Sequence, residues 1–403
     1  MTAKLHTGGT HRTIDPAQTI KNAEPHLAAM GITRIANVTG LDRLGIPVVN
    51  AYRPNSRSLS VSQGKGQNLA SAKASAIMEA IEGYHAEQID LPLKRGSYNE
   101  LAESNRLIDI SGLAFLANAE FDPDRPLHWI EGVDLVSEEA VLLPFELVHT
   151  DYTVNAPDNA RCFVASTNGL ASGNHRTEAI VHGICEVIER DAHTLWELTP
   201  TTSKAETRVN LSSITDPSCQ WLIQSLQKSG MTVGVWDMTS DVRVATFYCL
   251  IIDDRFGGHS GAGAGTHIDA SIALSRAITE AVQVRTNYIT GARDDLERGE
   301  YDGFGLAQKK RYAKSLFEAP SVHLTDFTDV PSKSLESFEA DIGWLLKQLS
   351  KVDVNKIVSI ELTKPDFGIP VERIVIPGLE GPHDHDDYCP GRRARSLIRR
   401  FEQ

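Results

Sequence analysis

Three stretches of this chain share one pattern. They are "AIMEAIE" (76–82), "GICEVIE" (183–189) and "AITEAVQ" (277–283). Each reads small residue, isoleucine, any residue, glutamate, small residue or valine, apolar residue, then acid or amide. Each also follows an apolar run and a glycine-bearing segment. The runs "SRSLSVS" (56–62), "CFVAST" (162–167) and "VATFYCLIID" (244–253) read as strands. They pass into "QGKG", "NGLASGNH" and "GGHSGAGAGTH", which read as loops, and then into helices over about 70–88, 177–196 and 269–288. Gly66 and Gly173 precede Glu79 and Glu186 by 13 residues, and Gly265 precedes Glu280 by 15. Units spread over about 230 residues are too far apart for a solenoid. They predict related strand–helix elements folded around one shared centre. Upstream, a helix is expected from Asp15-Pro16 to about Met30, and strands over 32–38 and 47–52.

The acids of these helices raise a chemical question. At about 100° per residue, Glu189 lies about 20° from Glu178 around its helix, and Glu186 about 80° from it. Ile180, Ile184, Val187 and Ile188 take the opposite face. Any one such helix reads as an ordinary amphipathic helix with solvated acids. Three matching units brought to one centre do not, because gathered carboxylates repel unless cations neutralise them. Glu79, Glu82, Glu178, Glu186 and Glu189 would take hard divalent ions, and Mg²⁺ with phosphate is the usual combination. Glycine loops at helix N-termini would supply N–H groups for that phosphate.

Composition narrows the alternatives. A formal charge of −13 argues against duplex nucleic acid as a partner. The five cysteines form no C-x-x-C pair, which fits a reducing cytoplasm and argues against a structural zinc. No apolar run approaches a membrane span, and no signal peptide is expected at the N-terminus. "GAGAG" (261–265) lacks the spacing and the later acid of a dinucleotide fingerprint. "HDHDD" (383–387) is able to bind a transition metal, but a solvated loop after Pro382 is the plainer reading.

Taken together the motifs resemble the signatures of the YcaO superfamily. "SAIMEAIE" fits S-x-x-x-E-x-x-E as Ser75, Glu79 and Glu82. "NGLASGNHRTEAIVHGICEVIERDA" resembles the second signature, and "EAVQVR" fits Q-x-R as Gln283 and Arg285. The resemblance runs from about residue 40 to the C-terminus. It implies an α/β fold of YcaO type, with mixed sheets backed by the three signature helices around a central ATP site. Residues 41–403 would form that domain and 1–40 a lead-in segment. It further implies an ATP-dependent enzyme acting on peptide backbone amides. Glu79, Glu82, Glu186 and Glu189 become Mg²⁺ ligands. Asn174, Glu178, Arg190 and Arg285 become nucleotide contacts, with Ser62, Lys65, Ser75 and Gln283 beside them, and Glu189, Arg190 and Arg285 are the residues assigned to catalysis. Met78 departs from members that carry a basic residue there, which removes one phosphate contact.

The C-terminus separates the reactions within the family. Azoline-forming members end in a proline-rich P-x-P-x-P, whereas this chain ends "GRRARSLIRRFEQ", with no proline after Pro390. That resembles the TfuA-associated, thioamide-forming branch, in which external sulfide is the nucleophile. A TfuA-like partner, a sulfide donor, a peptide or protein substrate and a homodimer follow from the resemblance. An azoline-forming cyclodehydratase acting on Cys, Ser or Thr of a ribosomal precursor peptide is the alternative, and a non-catalytic scaffold is a second. Five arginines lie between 392 and 400. They are expected to meet solvent, phosphates, glutamates or an acidic partner, and the fold is expected to survive their deletion.

Overall fold

The computed structural model describes residues 1–153, 162–253, 255, 259–296, 298–301, 303–321, 323–385 and 387–402. Helix α1 (Pro16–Ala23) precedes a sheet of β1 (Arg34–Asn37), β2 (Val48–Tyr52) and β3 (Val61–Lys65), which leads into α2 (Leu69–Glu87). Next come β4 (Leu93–Gly96), α3 (Tyr98–Ala102), β5 (Leu127–Asp134) and β6 (Ala140–Pro144). Strand β7 (Leu170–Ser172) leads into α4 (Arg176–Glu197), followed by α5 (Thr201–Glu206) and α6 (Pro217–Lys228). Then β8 (Thr232–Asp237), β9 (Thr246–Ile252) and β10 (Gly261–Thr266) lead into α7 (Ala270–Thr290). The chain closes with α8 (Gly303–Glu318), α9 (Phe338–Ser350), β11 (Val358–Glu361), β12 (Val371–Val375) and α10 (Arg392–Phe401).

The expected α/β architecture is present, as two three-stranded sheets, β1-β2-β3 and β10-β9-β8, and one six-stranded sheet. The larger sheet runs β4-β5-β11-β12-β7 with β6 on β5, and every named strand pair is antiparallel. In each repeated unit the helix packs on the strand that feeds it: α2 on β3, α4 on β7 and α7 on β10. Asn68, His175 and Asp269 cap the three helices, each side chain accepting an N–H from the first turn.

Two segments read as loops are strands. "QGKG" continues β3, and "GAGAG" lies within β10. Their glycines let a strand lie directly on a helix backbone. A Cβ on Gly64 would sit 2.0 Å from the Ala72 carbonyl oxygen, and one on Gly265 would sit 2.1 Å from that of Ala273. Gly64 and Gly265 therefore serve packing. "CFVAST" forms no strand. Phe163 makes one bridge to Phe115, and the strand entering α4 is β7. Helix α1 stops at Ala23 because Pro25 turns the chain into a 3-10 segment.

The lead-in segment is stitched into the body. The Phe338 N–H donates to the Thr2 carbonyl at 3.1 Å, and Lys4 pairs with buried Asp341 at 2.7 Å. The tail is held too. Arg393 donates Nε and Nη2 to Asp191 at 2.9 and 3.1 Å, while Glu380 accepts the N–H groups of Gly391 and Ala394 at 2.8 Å each. Asp191 is fully buried. Deleting the tail would strand that carboxylate, which argues against the expectation that the fold survives the deletion. Arg392, Arg395, Arg399 and Arg400 are exposed.

Candidate functional site

The three helices carry their acids to one place. Each carboxylate acts on the next through space: Glu79 on Glu82, Glu82 and Glu186 on one another's side, Glu186 beside Glu189, Glu189 beside Glu280, and Glu280 back to Glu79. The result is a ring of five acids. The carboxyl of Glu79 is pushed upward by its crowded surroundings and by Glu280, against the Gln63 N–H and Lys65. Glu79 nevertheless keeps its side chain open to water, so of the five it is the best screened. Burial, together with Glu79 and Glu186, raises Glu82 to about 8 despite its hydrogen bonds from Ser172. Burial and Glu189 raise Glu186 to about 7, and burial and Glu280 raise Glu189. Burial works against ionising Glu280 as well, but its contact with Lys65 holds it below the ordinary range. Among the described residues, no Lys or Arg makes a direct ion pair with Glu79, Glu82, Glu186 or Glu189. Carboxyls pushed up this way gain most from a bound cation, so the four residues expected as Mg²⁺ ligands fit that group.

The backbone fixes the acids in a repeated manner. The Gln63 N–H donates to Glu79 at 3.2 Å, and the Ala264 N–H to Glu280 at 3.4 Å, both across 16 residues. The first and third units are thus equivalent under a shift of 201 residues, which also equates Gly64 with Gly265. Residues 79, 186 and 280 occupy one helical position, 82, 189 and 283 a second, 75, 182 and 276 a third, and 84, 191 and 285 a fourth. The spacing of 15 read for the third unit arose from choosing Gly265. The residue equivalent to Gly66 and Gly173 is His267, at spacing 13.

The other expected residues divide. Lys65 reaches the ring by pairing with Glu280. Arg190 makes no direct ion pair among the described residues but lies in the field of Glu186, Glu189 and Glu280. Ser75 stands one turn before Glu79, and Ser62 lies on β3. Gln283 stands one turn after Glu280, and its Oε1 is buried without a partner. Asn174 and Glu178 are committed to each other at 3.1 Å, and Glu178 also accepts from the Thr13 N–H and hydroxyl at 2.9 Å each. Glu178 is 2% exposed and anchors the N-terminal segment, with Arg12 at 3.5 Å, so it does not join the ring. Arg285 is held by ion pairs. Its buried guanidinium donates to Asp42 at 2.7 Å, to Asp253 at 3.2 Å and to the His259 carbonyl. Those partners bind α7 to the 42 and 253 loops, an anchoring role beside the one expected from sequence.

Arg276 and Glu280 were missing from the expected site. Arg276 acts on Glu186 and Glu189, and its Nε is buried without a partner. Both were legible in the repeat, because Arg276 takes the position of Ser75 and Glu280 that of Glu79. The loop motif "HDHDD" places His383 near His193 and Glu197, with ligand atoms within 4.8 Å of one another. Glu197 there already accepts from Lys204 and Tyr312, and Asp386 lies outside the described residues.

Comparison with known proteins agrees with this geometry. The family model "YcaO cyclodehydratase, ATP-ad Mg2+-binding" matches residues 63–380. A Rhizobium leguminosarum bv. trifolii protein described as "Uncharacterized protein in tfuA 3'region" is 34% identical over 400 residues, covering 97% of this chain and 94% of that one. The structure of YcaO from Methanopyrus kandleri bound with AMPPCP and Mg²⁺ matches with a TM-score of 0.76 at 23% identity, covering 94% of this chain and 95% of that chain. A heterocyclase in complex with substrate and cofactor matches with a TM-score of 0.79 at 22% identity, over 94% of this chain but 54% of its own, so this chain spans about half of that protein. At such identities the two structures speak for the fold alone. The family match over most of the length, the relative at 34% identity and the three glutamate-bearing helices establish that this chain belongs to the YcaO family.

Proposed function

We propose that this protein converts a peptide backbone amide into a thioamide, using Mg²⁺-ATP and sulfide. The ring of five carboxylates, four of them without a direct cation partner among the described residues, carries the reading. Glu79, Glu82, Glu186 and Glu189 would hold Mg²⁺. Lys65, Arg190, Arg276 and Gln283 are the cations and amide beside them that suit a polyphosphate. ATP, when bound, supplies the phosphoryl group that makes the amide oxygen a leaving group. The sulfur of hydrosulfide forms a bond to the amide carbon. The carbon–oxygen bond breaks with departure of phosphate, which carries away the hydrosulfide proton. Thioamide, ADP and phosphate result. The protein's part is to fix the acids on three helices, so that no carboxylate has to move when charge builds.

Two observations support sulfide over a side-chain nucleophile. The C-terminus is a docked arginine-bearing helix instead of a proline-rich strand, and the Rhizobium relative is described by its place beside tfuA. A TfuA-like partner fits the four exposed arginines of α10, and a homodimer fits the family resemblance. The test is mass spectrometry of a candidate substrate peptide with the protein, Mg²⁺-ATP and sulfide. Exchange of oxygen for sulfur is expected. Loss of water without any need for sulfide would make the protein an azoline-forming cyclodehydratase, and no change with any peptide would point to a scaffold.

A further inference from the structure

A cavity of about 60 Å³ lies beside α4, where Val187 faces β12. Arg373 projects into its wall from β12 and is 2% exposed. Its Nε and Nη2 donate to the Leu147 carbonyl at 3.0 and 2.8 Å, and Nη2 also meets the Ser166 carbonyl. Its Nη1 is buried and has no partner among the described residues, and the same holds for Oδ1 of Asn168 on the same wall. Among the described residues no carboxylate pairs with Arg373. Glu380 also lines the cavity, but its oxygens are taken by Gly391, Ala394 and Tyr388. A guanidinium keeps its proton, and a buried one without a counter-charge is strongly unfavourable. The built wall therefore has a place for a small anion. Glu186 is the acid whose charge reaches Arg373, and it directly precedes Val187 of the cavity wall. At roughly 10–15 Å³ per water on this measure, 60 Å³ has room for about four to six waters, and so for a small anion.

We propose that this cavity holds the nucleophile as hydrosulfide, with Arg373 Nη1 donating to sulfur and the S–H donating to Asn168 Oδ1. The assignment rests on the thioamide reading above.

Two measurements on the full chain separate the site from the reaction. Crystals soaked in bromide, a probe of comparable size and charge, should show an anomalous peak within hydrogen-bond reach of Arg373 Nη1. The peak should vanish in Arg373→Met. With peptide and Mg²⁺-ATP, Arg373→Met should raise the KM for sulfide about tenfold or more, and leave the KM for ATP within about twofold. Arg373→Lys should recover part of the loss. Asn168→Asp keeps the guanidinium and sets a second negative charge against the anion, so it should act in the same direction even if Arg373→Met folds poorly. No bromide at Arg373, or an unchanged sulfide KM in Asn168→Asp, overturns the proposal while leaving thioamide formation standing. Bromide at Arg373 in a protein that makes no thioamide overturns the hydrosulfide assignment together with the reaction on which it rests.

Discussion

The first and third repeated units share a scaffold and differ in what they mount on it. Strand β3 lies on α2 as β10 lies on α7, with a glycine at the same closest approach and a strand N–H on the same glutamate. Yet Glu79 has no direct cation partner among the described residues, and Glu280 is tied to Lys65. Glu82 corresponds to Gln283 in the repeat, Ser75 to Arg276 and Tyr84 to Arg285. Each exchange removes negative charge or adds positive charge in the third unit. The repeat thus makes two kinds of surface from one fold unit, one suited to cations and one to the anion those cations carry.

The largest effect should come from erasing that difference. Glu82→Gln copies Gln283 into the first unit. It should weaken Mg²⁺-ATP binding by more than the roughly 10–100-fold typical of losing an outer-shell partner, with folding retained. Glu280→Gln should cost less, because Lys65 already neutralises that acid. Calorimetry checks both, and equal losses would break the comparison. Glu189→Gln should behave like Glu82→Gln.

Next come the anchors at positions 191 and 285. Arg393→Ala strands buried Asp191 and should destabilise the fold by about 3–5 kcal/mol. Arg285→Met takes the ion pair from Asp42 but leaves Asp253 paired with Arg43, so it should cost less. Denaturant unfolding measures both. An Arg285→Met protein of full stability that has lost only its turnover would restore the catalytic role expected from sequence.

The packing glycines test the scaffold itself. Gly64→Ala and Gly265→Ala each force a Cβ into helix backbone, and each should cost at least the roughly 1–3 kcal/mol of an overpacked core. Thermal melts showing one variant tolerated and the other not would mean that the two strand–helix pairs are not equivalent.

The smallest effect concerns pH. Carboxyls raised to about 7 at Glu186 and about 8 at Glu82 keep protons in the folded state that the unfolded chain has already released. Their contribution to stability is full below the ordinary carboxylate range and is lost as pH rises through 7 to 8. Asp341, raised to about 6 by burial, adds the same sign at lower pH. Glu280, held low by Lys65, has the opposite sign and loses its contribution only as pH falls through its depressed range. The metal-free protein should therefore melt at lower temperature at pH 8 than at pH 6. Glu82→Gln should flatten that slope and Glu280→Gln should not.

The sequence by itself determined the three helices, the acids on them and the family. Helical periodicity and the E-x-x-E spacing are local properties, and the interval between Glu79 and Glu82 puts both on one face whatever surrounds them. It also held the register that picks out Arg276, although glycine positions read as loops concealed it. Only tertiary structure decided which acids share a centre. Glu178 has the same helical phase as Glu189 but stands about three turns away along α4, where Thr13, brought from 165 residues away, takes its carboxylate. The same is true of Arg285, whose fate depends on Asp42 across 243 residues, and of the tail, which Asp191 fixes across 202. A side chain's rotation about its helix is written in the chain. Its partner is set by which distant backbone the packed sheets bring within about 3 Å, and hydrogen bonds at that range carry no mark in local sequence.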